Sequence, residues 1–305
     1  YPTHRLAAPA LAWLQQYWSS GEVAVRQGQG SAAARFERAA AVTRQIERQF
    51  PTLAAEPSVQ LPWLAQLRDH GPPGESVRVC STMAHSRPRD AWWSCFAGEA
   101  WLADRSKAAP PKPIWHVRRS DARPKLDGQL DDATWHDATP VELRSPLGDD
   151  RTWPAEVIAA YDDTYLYLGI RCRQNEASND TAPTGTRVRD PELSTCERVE
   201  ILLDIDRDQA TWFRLTADHR GWVAEDCWGD RSWNPSWYVA VDRQPGAWTI
   251  EAAMPLEALT AGRIEPGMAW SAGVVRIVPK VGFQSWTAPA AITPMPEGFG
   301  YLVFE

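Results

Sequence analysis

Between position 114 and the C-terminus, apolar residues recur at every second position within several short segments. This two-residue period limits the possible folds more than any other feature of the sequence. In "YLYLGIRCR", Leu166, Leu168 and Ile170 fall on one face of an extended segment, while Tyr165 falls on the opposite face. Such alternation is typical of strands with one buried face. Several similar short segments follow, separated by turn residues. The pattern predicts a mainly β fold that is a sandwich or a barrel.

The first 113 residues have a different pattern and are predicted to form a helical and irregular N-terminal arm. Ser31 is placed to cap a helix that Pro51 ends, and a shorter helix is expected over Ala10–Trp18. These helices have too few turns to bury a core of their own, so we expect them to lie against the rest of the chain or a partner. Residues 71–113 are rich in Pro, Gly and Arg, which is typical of a linker.

Composition excludes several classes of function. The 305 residues carry a formal net charge of −7, which argues against a nucleic-acid partner. No apolar run approaches the roughly 20 residues that a membrane-spanning helix needs. The sequence begins without Met, which a removed signal peptide or a trimmed terminus would explain.

The five cysteines form no CxxC pair, so a zinc or thioredoxin-like site is not expected. Cys80 and Cys95 flank a short stretch and are candidates for a disulfide, which would add about 3 kcal/mol in the chain-entropy model. The alternative is that all five are buried thiols, because free cysteine is among the most buried residue types.

Five segments together resemble the family 9 carbohydrate-binding modules. They are, in order, "KLDGQLDDATWHDA", "VIAAYDDTYLYLGIRC", "CERVEILLDID", "AWTIEAAMPLEAL" and "GFGYLVFE". The likeness covers about residues 114–305. It implies an antiparallel β-sandwich, usually secreted or periplasmic, that binds sugars without hydrolysing them. Related sandwiches also occur as haem-carrying subunits of periplasmic oxidoreductases.

The sequence departs from this family where its sugar-binding members hold a sugar between two tryptophans. One tryptophan precedes the strand that reads "VEI", where this chain has Ser194 or Thr195. The other lies before the final "FG" strand, where this chain reads "AAITPMPEGFG" with no aromatic residue before Phe299. Since aromatic surface dominates the energetics of such sites, we expect the usual sugar site to be missing.

The stretch "WVAEDCWGDRSWNPSW" supplies other candidates for a binding surface. Strand alternation predicts that Trp237 is a core residue, whereas Trp228 and Trp233 are expected in or near an exposed loop with Arg231 between them. Exposed Trp beside Arg is typical of protein interfaces and also of sugar platforms. Trp153 and Trp233 are the residues that could replace the missing sugar clamp.

The segment "DIDRDQ" resembles a calcium loop because its acids alternate, although it does not fit the EF-hand template. The resemblance implies that structural calcium is common in the family, so Asp206 and Asp208 are candidate ligands; the alternative is two solvated acids. No CxxCH motif is present, and no His or Met pair is singled out for haem. No catalytic motif or supported carboxylate pair was found, so we expect no enzyme and no other cofactor.

Two functions remain. The first is a non-catalytic, periplasmic or secreted accessory subunit that docks on a larger assembly, with the periplasmic face of a membrane-bound photosynthetic or electron-transfer complex as one setting. The second is a carbohydrate-binding module with a displaced aromatic site. The missing clamp and the small helical arm favour protein partners.

Overall fold

The computed structural model describes residues 4–28, 31–86, 92–105, 109–175, 190–287, 292–293 and 295–305. These residues form two compact units. One comprises Tyr1–Pro113 and Asp204–Trp212, and the other comprises Ile114–Leu203 and Phe213–Glu305. The predicted boundary after residue 113 differs from this division only by the segment 204–212, which belongs to the helical unit. Among the described helices, none combines the length and the apolar character needed to span a membrane.

The helical unit is built of short helices. Its helices are α1 (Ala7–Ser19), α2 (Gly21–Gln27), α3 (Ala32–Gln49), α4 (Pro51–Ala54), α5 (Pro57–His70), α6 (Glu75–Ser86) and α7 (Trp93–Ala103). The Ser31 hydroxyl accepts a hydrogen bond from the backbone N–H of Ala34 at 3.1 Å, which confirms the predicted cap of α3. The helix predicted over Ala10–Trp18 lies within α1.

The prediction of a linker over residues 71–113 is wrong, because α6 and α7 lie there. It failed because most of the Pro and Gly residues cluster at positions 71–74 and 110–113, outside the two helices, while the buried residues of α6 and α7 pack on α5. Cys80, Cys95 and Phe96 form one apolar cluster with Leu61 and Leu64. A second cluster joins α1, α3 and α5 through Leu11, Ile46 and Val59. The helical unit therefore has a core of its own, contrary to expectation.

The predicted disulfide between Cys80 and Cys95 is absent, because both residues are free, fully buried thiols in that cluster. Burial raises the pKa of Cys80 to about 12, so its thiol stays protonated and unreactive at neutral pH. The alternative of buried thiols is the correct one for this pair.

The second unit is a β-sandwich that is nearly closed into a barrel, which confirms the predicted fold class. Its strands are β1 (Ile114–Arg119), β2 (Val141–Leu143), β3 (Ala155–Tyr161), β4 (Tyr165–Arg173), β5 (Arg198–Asp204), β6 (Phe213–Asp218), β7 (Val223–Cys227), β8 (Tyr238–Gln244), β9 (Ala247–Pro255), β10 (Ala269–Val278), β11 (Gly282–Ser285) and β12 (Gly300–Phe304), and a short helix, α8 (Ala133–His136), precedes β2.

The strands hydrogen-bond in the order β7-β6-β5-β10-β12-β1-β3-β4-β9-β8, with β11 on β10 and β2 on β3. Most pairs are antiparallel, as predicted. β1 is the exception, since it pairs in parallel with β12 through its first residues and in parallel with β3 through its last. This strand thus joins the two halves of the sandwich.

The segment "KLDG" and the following α8 are fixed to the outer face of β9 by one buried carboxylate. Glu251 accepts hydrogen bonds from the backbone N–H groups of Asp127 and Gly128, at 3.0 and 2.9 Å, and from the Trp135 indole at 2.8 Å. Gly128 has a φ of +87°, and a Cβ there would lie 2.3 Å from the backbone nitrogen of Asp242. Only glycine therefore fits this turn.

A buried ion pair crosses the interior of the sandwich. Arg276 on β10 is 0% exposed and pairs with Glu197, which is 1% exposed. The same guanidinium donates to the carbonyl oxygens of Trp153 at 2.8 Å and Arg173 at 2.6 Å. Breaking a buried pair by removing one partner is strongly destabilising, because the other charge stays buried and uncompensated.

We therefore expect Glu197→Ala to lower the free energy of unfolding by about 3–5 kcal/mol, measured by urea denaturation. Asp163→Ala is the control, since Asp163 pairs with Arg119 on the surface and its loss should hardly move the urea midpoint. Equal midpoints for the two variants would contradict the role given to Glu197.

Candidate functional site

Two tryptophans that were predicted to be available for binding are buried. Trp153 is 1% exposed and has the Arg276 guanidinium 5.1 Å from its ring centroid. Trp233 is 6% exposed and stacks on Phe213 with ring centroids 4.3 Å apart. Neither ring is open to a ligand, so the prediction that they replace the sugar clamp is wrong.

Trp233 is buried because a tight turn precedes it. Trp228 and Gly229 have φ values of +52° and +84°, and Cys227 and Asp230 exchange backbone hydrogen bonds across them. Two central residues with positive φ define a hairpin turn that reverses the chain at once. The chain returns along β7, which brings Trp233 onto Phe213 of β6.

Trp237, predicted to lie in the core, is only half-buried, and its indole donates to Glu225 at 3.2 Å. The error arises because β8 is an edge strand in which no residue is fully buried, so the alternation through Val239 and Val241 does not mark a core face. Trp228 is also half-buried, and Arg231 is exposed. Their role in binding stays a prediction.

A small, charged cavity lies beside Ser194, where the sequence predicts that the first tryptophan of a sugar clamp is replaced. Ser194 and Arg231 line a space of about 180 Å³ together with ion-paired side chains of β5, β6 and β7. Arg198 pairs with Glu200 at 2.8 Å, and the described lining includes no aromatic ring. The second clamp region lies partly outside the described residues.

A cavity lies on the outer face of the sheet formed by β2, β3, β4, β9 and β8. Residues paired in register share a face, and one row runs through Glu142, Glu156, Arg171, Thr249 and Asp242. Towards α8 this face is covered by Trp135, which packs with residues of β3, β4 and β9. Beyond the row the face is open.

This open end, called here the sheet-face cavity, has a volume of about 620 Å³. Its lining is Glu142, Leu143, Arg144, Asp150, Arg151, Pro154, Ala155, Glu156, Arg171, Arg173, Pro245, Gly246 and Ala247. The volume is in the range of small-molecule sites. The lining combines apolar surface with seven charged side chains. This site could not be predicted from the sequence, because its lining residues come from several separate segments and include no aromatic side chain.

A second cluster of candidate ligands lies in the helical unit. Carboxylate oxygens of Glu22, Asp204 and Asp206 lie within 4.8 Å of one another. Asp206 was predicted from the sequence, but Glu22 and Asp204 were missed, since Glu22 is distant in sequence. Asp208 is buried beside them, and one of its oxygens accepts from the backbone N–H of Thr211 at 2.7 Å.

Burial and mutual repulsion govern the charge of this cluster. Desolvation, reinforced by the neighbouring acids, raises the pKa of Glu22, Asp204 and Asp208 well above the usual value. Backbone N–H groups oppose this effect; for example, Gly21 donates to Asp206 at 2.7 Å and Ile205 donates to Glu22 at 2.7 Å. The cluster must therefore hold protons or a cation.

Clustered carboxylate oxygens are the donors that Ca²⁺ prefers, so Glu22, Asp204 and Asp206 fit a calcium ion by donor type and by spacing. The calcium site stays a prediction. Its candidate ligands beside Asp206 are now Glu22 and Asp204 in place of Asp208.

Comparison with known proteins agrees with this fold. Residues 126–274 match the sequence model of a family described as carbohydrate family 9 binding domain-like, so this part of the chain is a family 9 carbohydrate-binding-module-like domain. The resemblance inferred from the sequence is thereby confirmed. Among curated protein sequences, none matches the chain.

Solved structures of similar fold include two family 9 modules from Caldicellulosiruptor kristjanssonii. The module in complex with cellotriose is 16% identical, with a TM-score of 0.47 over 63% of this chain and 94% of the module. The module in complex with glucose is 16% identical, with a TM-score of 0.44 over 62% and 95%. A candidate carbohydrate-binding protein from Bacteroides uniformis is 12% identical, with a TM-score of 0.50 over 64% of this chain and all of that chain (100%).

The acidic cluster predicts an unusual dependence of stability on pH when divalent metal is removed with EDTA. Since the pKa of Glu22 is raised in the folded state, the folded chain binds more protons than the unfolded chain above the usual carboxyl pKa. Stability should therefore fall as the pH rises above the usual carboxyl range towards neutral. Urea unfolding followed by the helical circular-dichroism signal measures this.

Glu22→Gln should flatten the dependence of stability on pH, whereas the exposed control Glu37→Gln should not. An unchanged slope in Glu22→Gln would contradict the assignment.

Calcium chloride tests the predicted metal site in the same assay. At about pH 8 we expect calcium to raise the urea midpoint, because a ligand that binds only the folded state stabilises it. Glu22→Gln should lose most of that rise, and Glu37→Gln should keep it. If calcium has no effect on the wild-type midpoint, the cluster holds protons rather than calcium.

Proposed function

We propose that the β-sandwich unit is a non-catalytic carbohydrate-binding domain and that the sheet-face cavity is its binding site. The observation that carries this proposal is an open cavity of about 620 Å³ on one sheet face of a family 9-like sandwich. The usual position of the sugar clamp supports no such site, since the cavity there is smaller and its described lining has no aromatic ring.

The lining of the sheet-face cavity suits a saccharide. Pro154, Pro245 and Ala247 provide apolar surface, against which the carbon-bound face of a sugar ring can lie. Arg171 and Glu156 form an exposed ion pair beside them and offer both donors and acceptors to hydroxyl groups. A few polar groups around apolar surface fix the orientation of a ligand.

The floor of this cavity is held by the buried network beneath it. The backbone N–H of Arg173 donates to the carbonyl of Pro154 at 2.9 Å, and the carbonyl of Arg173 accepts from Arg276. A site on fixed strands loses less conformational entropy on binding than one on a free loop. The geometry therefore favours a preformed site.

Docking on a larger assembly, the first function expected from the sequence, stays a prediction. The burial of Trp233 removes one of the side chains on which the docking prediction depended. Arg231 remains as an exposed candidate. The photosynthetic or electron-transfer setting has no support from the comparisons. A periplasmic or secreted location follows only from the resemblance and stays a prediction too.

Calorimetric titration of the full chain with a panel of neutral and acidic oligosaccharides tests the proposal. We expect at least one saccharide to bind, and Ala247→Leu to weaken its binding about tenfold or more by filling space beside Arg173. Ala261→Leu, in an exposed turn outside the cavity, is the matched control and should bind as the wild type does. If the panel shows no binding, or if both variants bind equally, the proposal fails.

A further inference from the structure

The charges of the sheet-face cavity are unequally matched. Four arginines and three acidic residues line it. All three acids are already engaged by two of the arginines. Arg144 pairs with Glu142 and, at 3.1 Å, with Asp150, while Arg171 pairs with Glu156.

The other two guanidinium groups, those of Arg151 and Arg173, are exposed at the cavity. Neither has an ion-pair or side-chain hydrogen-bond partner within the part of the chain that the structure describes. The cavity thus has one positive charge in excess, although the whole chain carries a net charge of −7. This excess does not follow from the overall composition.

Both arginines are attached to well-fixed backbone. Arg173 ends β4, and its carbonyl accepts from the buried Arg276 at 2.6 Å. Arg151 follows Asp150, which accepts from the backbone N–H of Ser145 at 3.0 Å and pairs with Arg144. The Ser145 N–H, together with Arg144, also lowers the pKa of Asp150 against the opposing effect of burial, so this anchor stays ionised.

Resting on the carbohydrate-binding function proposed above, we infer that the saccharide bound in the sheet-face cavity is anionic, carrying a carboxylate or a sulfate ester that Arg151 and Arg173 bind. A guanidinium presents parallel N–H donors that match the two oxygens of a carboxylate or sulfate. The apolar floor of Pro154, Pro245 and Ala247 receives the ring. The ion-paired Arg171 then faces hydroxyl groups.

The test compares oligogalacturonate with its neutral methyl ester, and a sulfated galactan oligosaccharide with its desulfated form, by calorimetric titration of the full chain. We expect at least one acidic saccharide to bind about tenfold or more tightly than its neutral partner, with an advantage that shrinks as salt rises. The two pairs separate a carboxylate ligand from a sulfate ligand.

The double variant Arg151→Gln/Arg173→Gln should lose this tenfold preference for the acidic over the neutral form. Arg243→Gln is the matched control, because Arg243 is exposed on β8 and does not line the cavity. Unchanged melting temperatures will show that the variants fold, as expected for exposed side chains.

Each remaining outcome is decisive. Equal binding of acidic and neutral saccharides, or a preference that survives in the double variant, overturns the inference and leaves the carbohydrate-binding function standing. Inorganic sulfate that binds as tightly as the sulfated saccharide overturns it in favour of a free-anion site. If neither acidic nor neutral saccharides bind, the carbohydrate-binding function itself fails.

Discussion

The sandwich depends on one guanidinium that has no access to water. Arg276 is fully buried, and its charge is balanced by Glu197 and by the carbonyl groups of Trp153 and Arg173. A charge in this position is tolerated only if every donor finds a partner, so the strands that supply the partners are held in one arrangement. Two of these partners are carbonyl groups at the end of β4 and at the end of the loop before β3. The same two chain ends form the floor of the sheet-face cavity.

The outer face of this sheet is divided by a second buried charge. Glu251 anchors the "KLDG" turn and the Trp135 indole, so that one end of the face becomes a small apolar core. The other end has no such cover and carries the arginine-rich cavity. The motif that identifies the family thus determines, through Glu251, where the sheet is open. The polar cavity beside Ser194, where the family would hold a sugar between indoles, is smaller and lacks described aromatic surface.

Much of the fold could be predicted from the sequence, because period-two alternation and the cap at Ser31 are local signals. The helices α6 and α7 were missed because the Pro and Gly residues before α6 and after α7 dominated the composition. Trp233 was wrongly predicted to be exposed, because the turn before it depends on a positive φ at Trp228. A sequence signals a positive φ only where it has glycine or asparagine. The acidic cluster and the sheet-face cavity both combine residues distant in sequence, and no single-sequence pattern brings Glu22 near Asp204 or Arg151 and Arg173 into one cavity.

We propose that this family 9-like sandwich binds a saccharide on its open sheet face rather than in the cavity beside Ser194. Nuclear magnetic resonance of the arginine side-chain N–H groups, recorded during titration with an acidic oligosaccharide, tests this claim most directly. We expect the signals of Arg151 and Arg173 to shift and those of Arg198 and Arg231 to stay in place. Shifts at Arg198 and Arg231, with Arg151 and Arg173 unchanged, would contradict it.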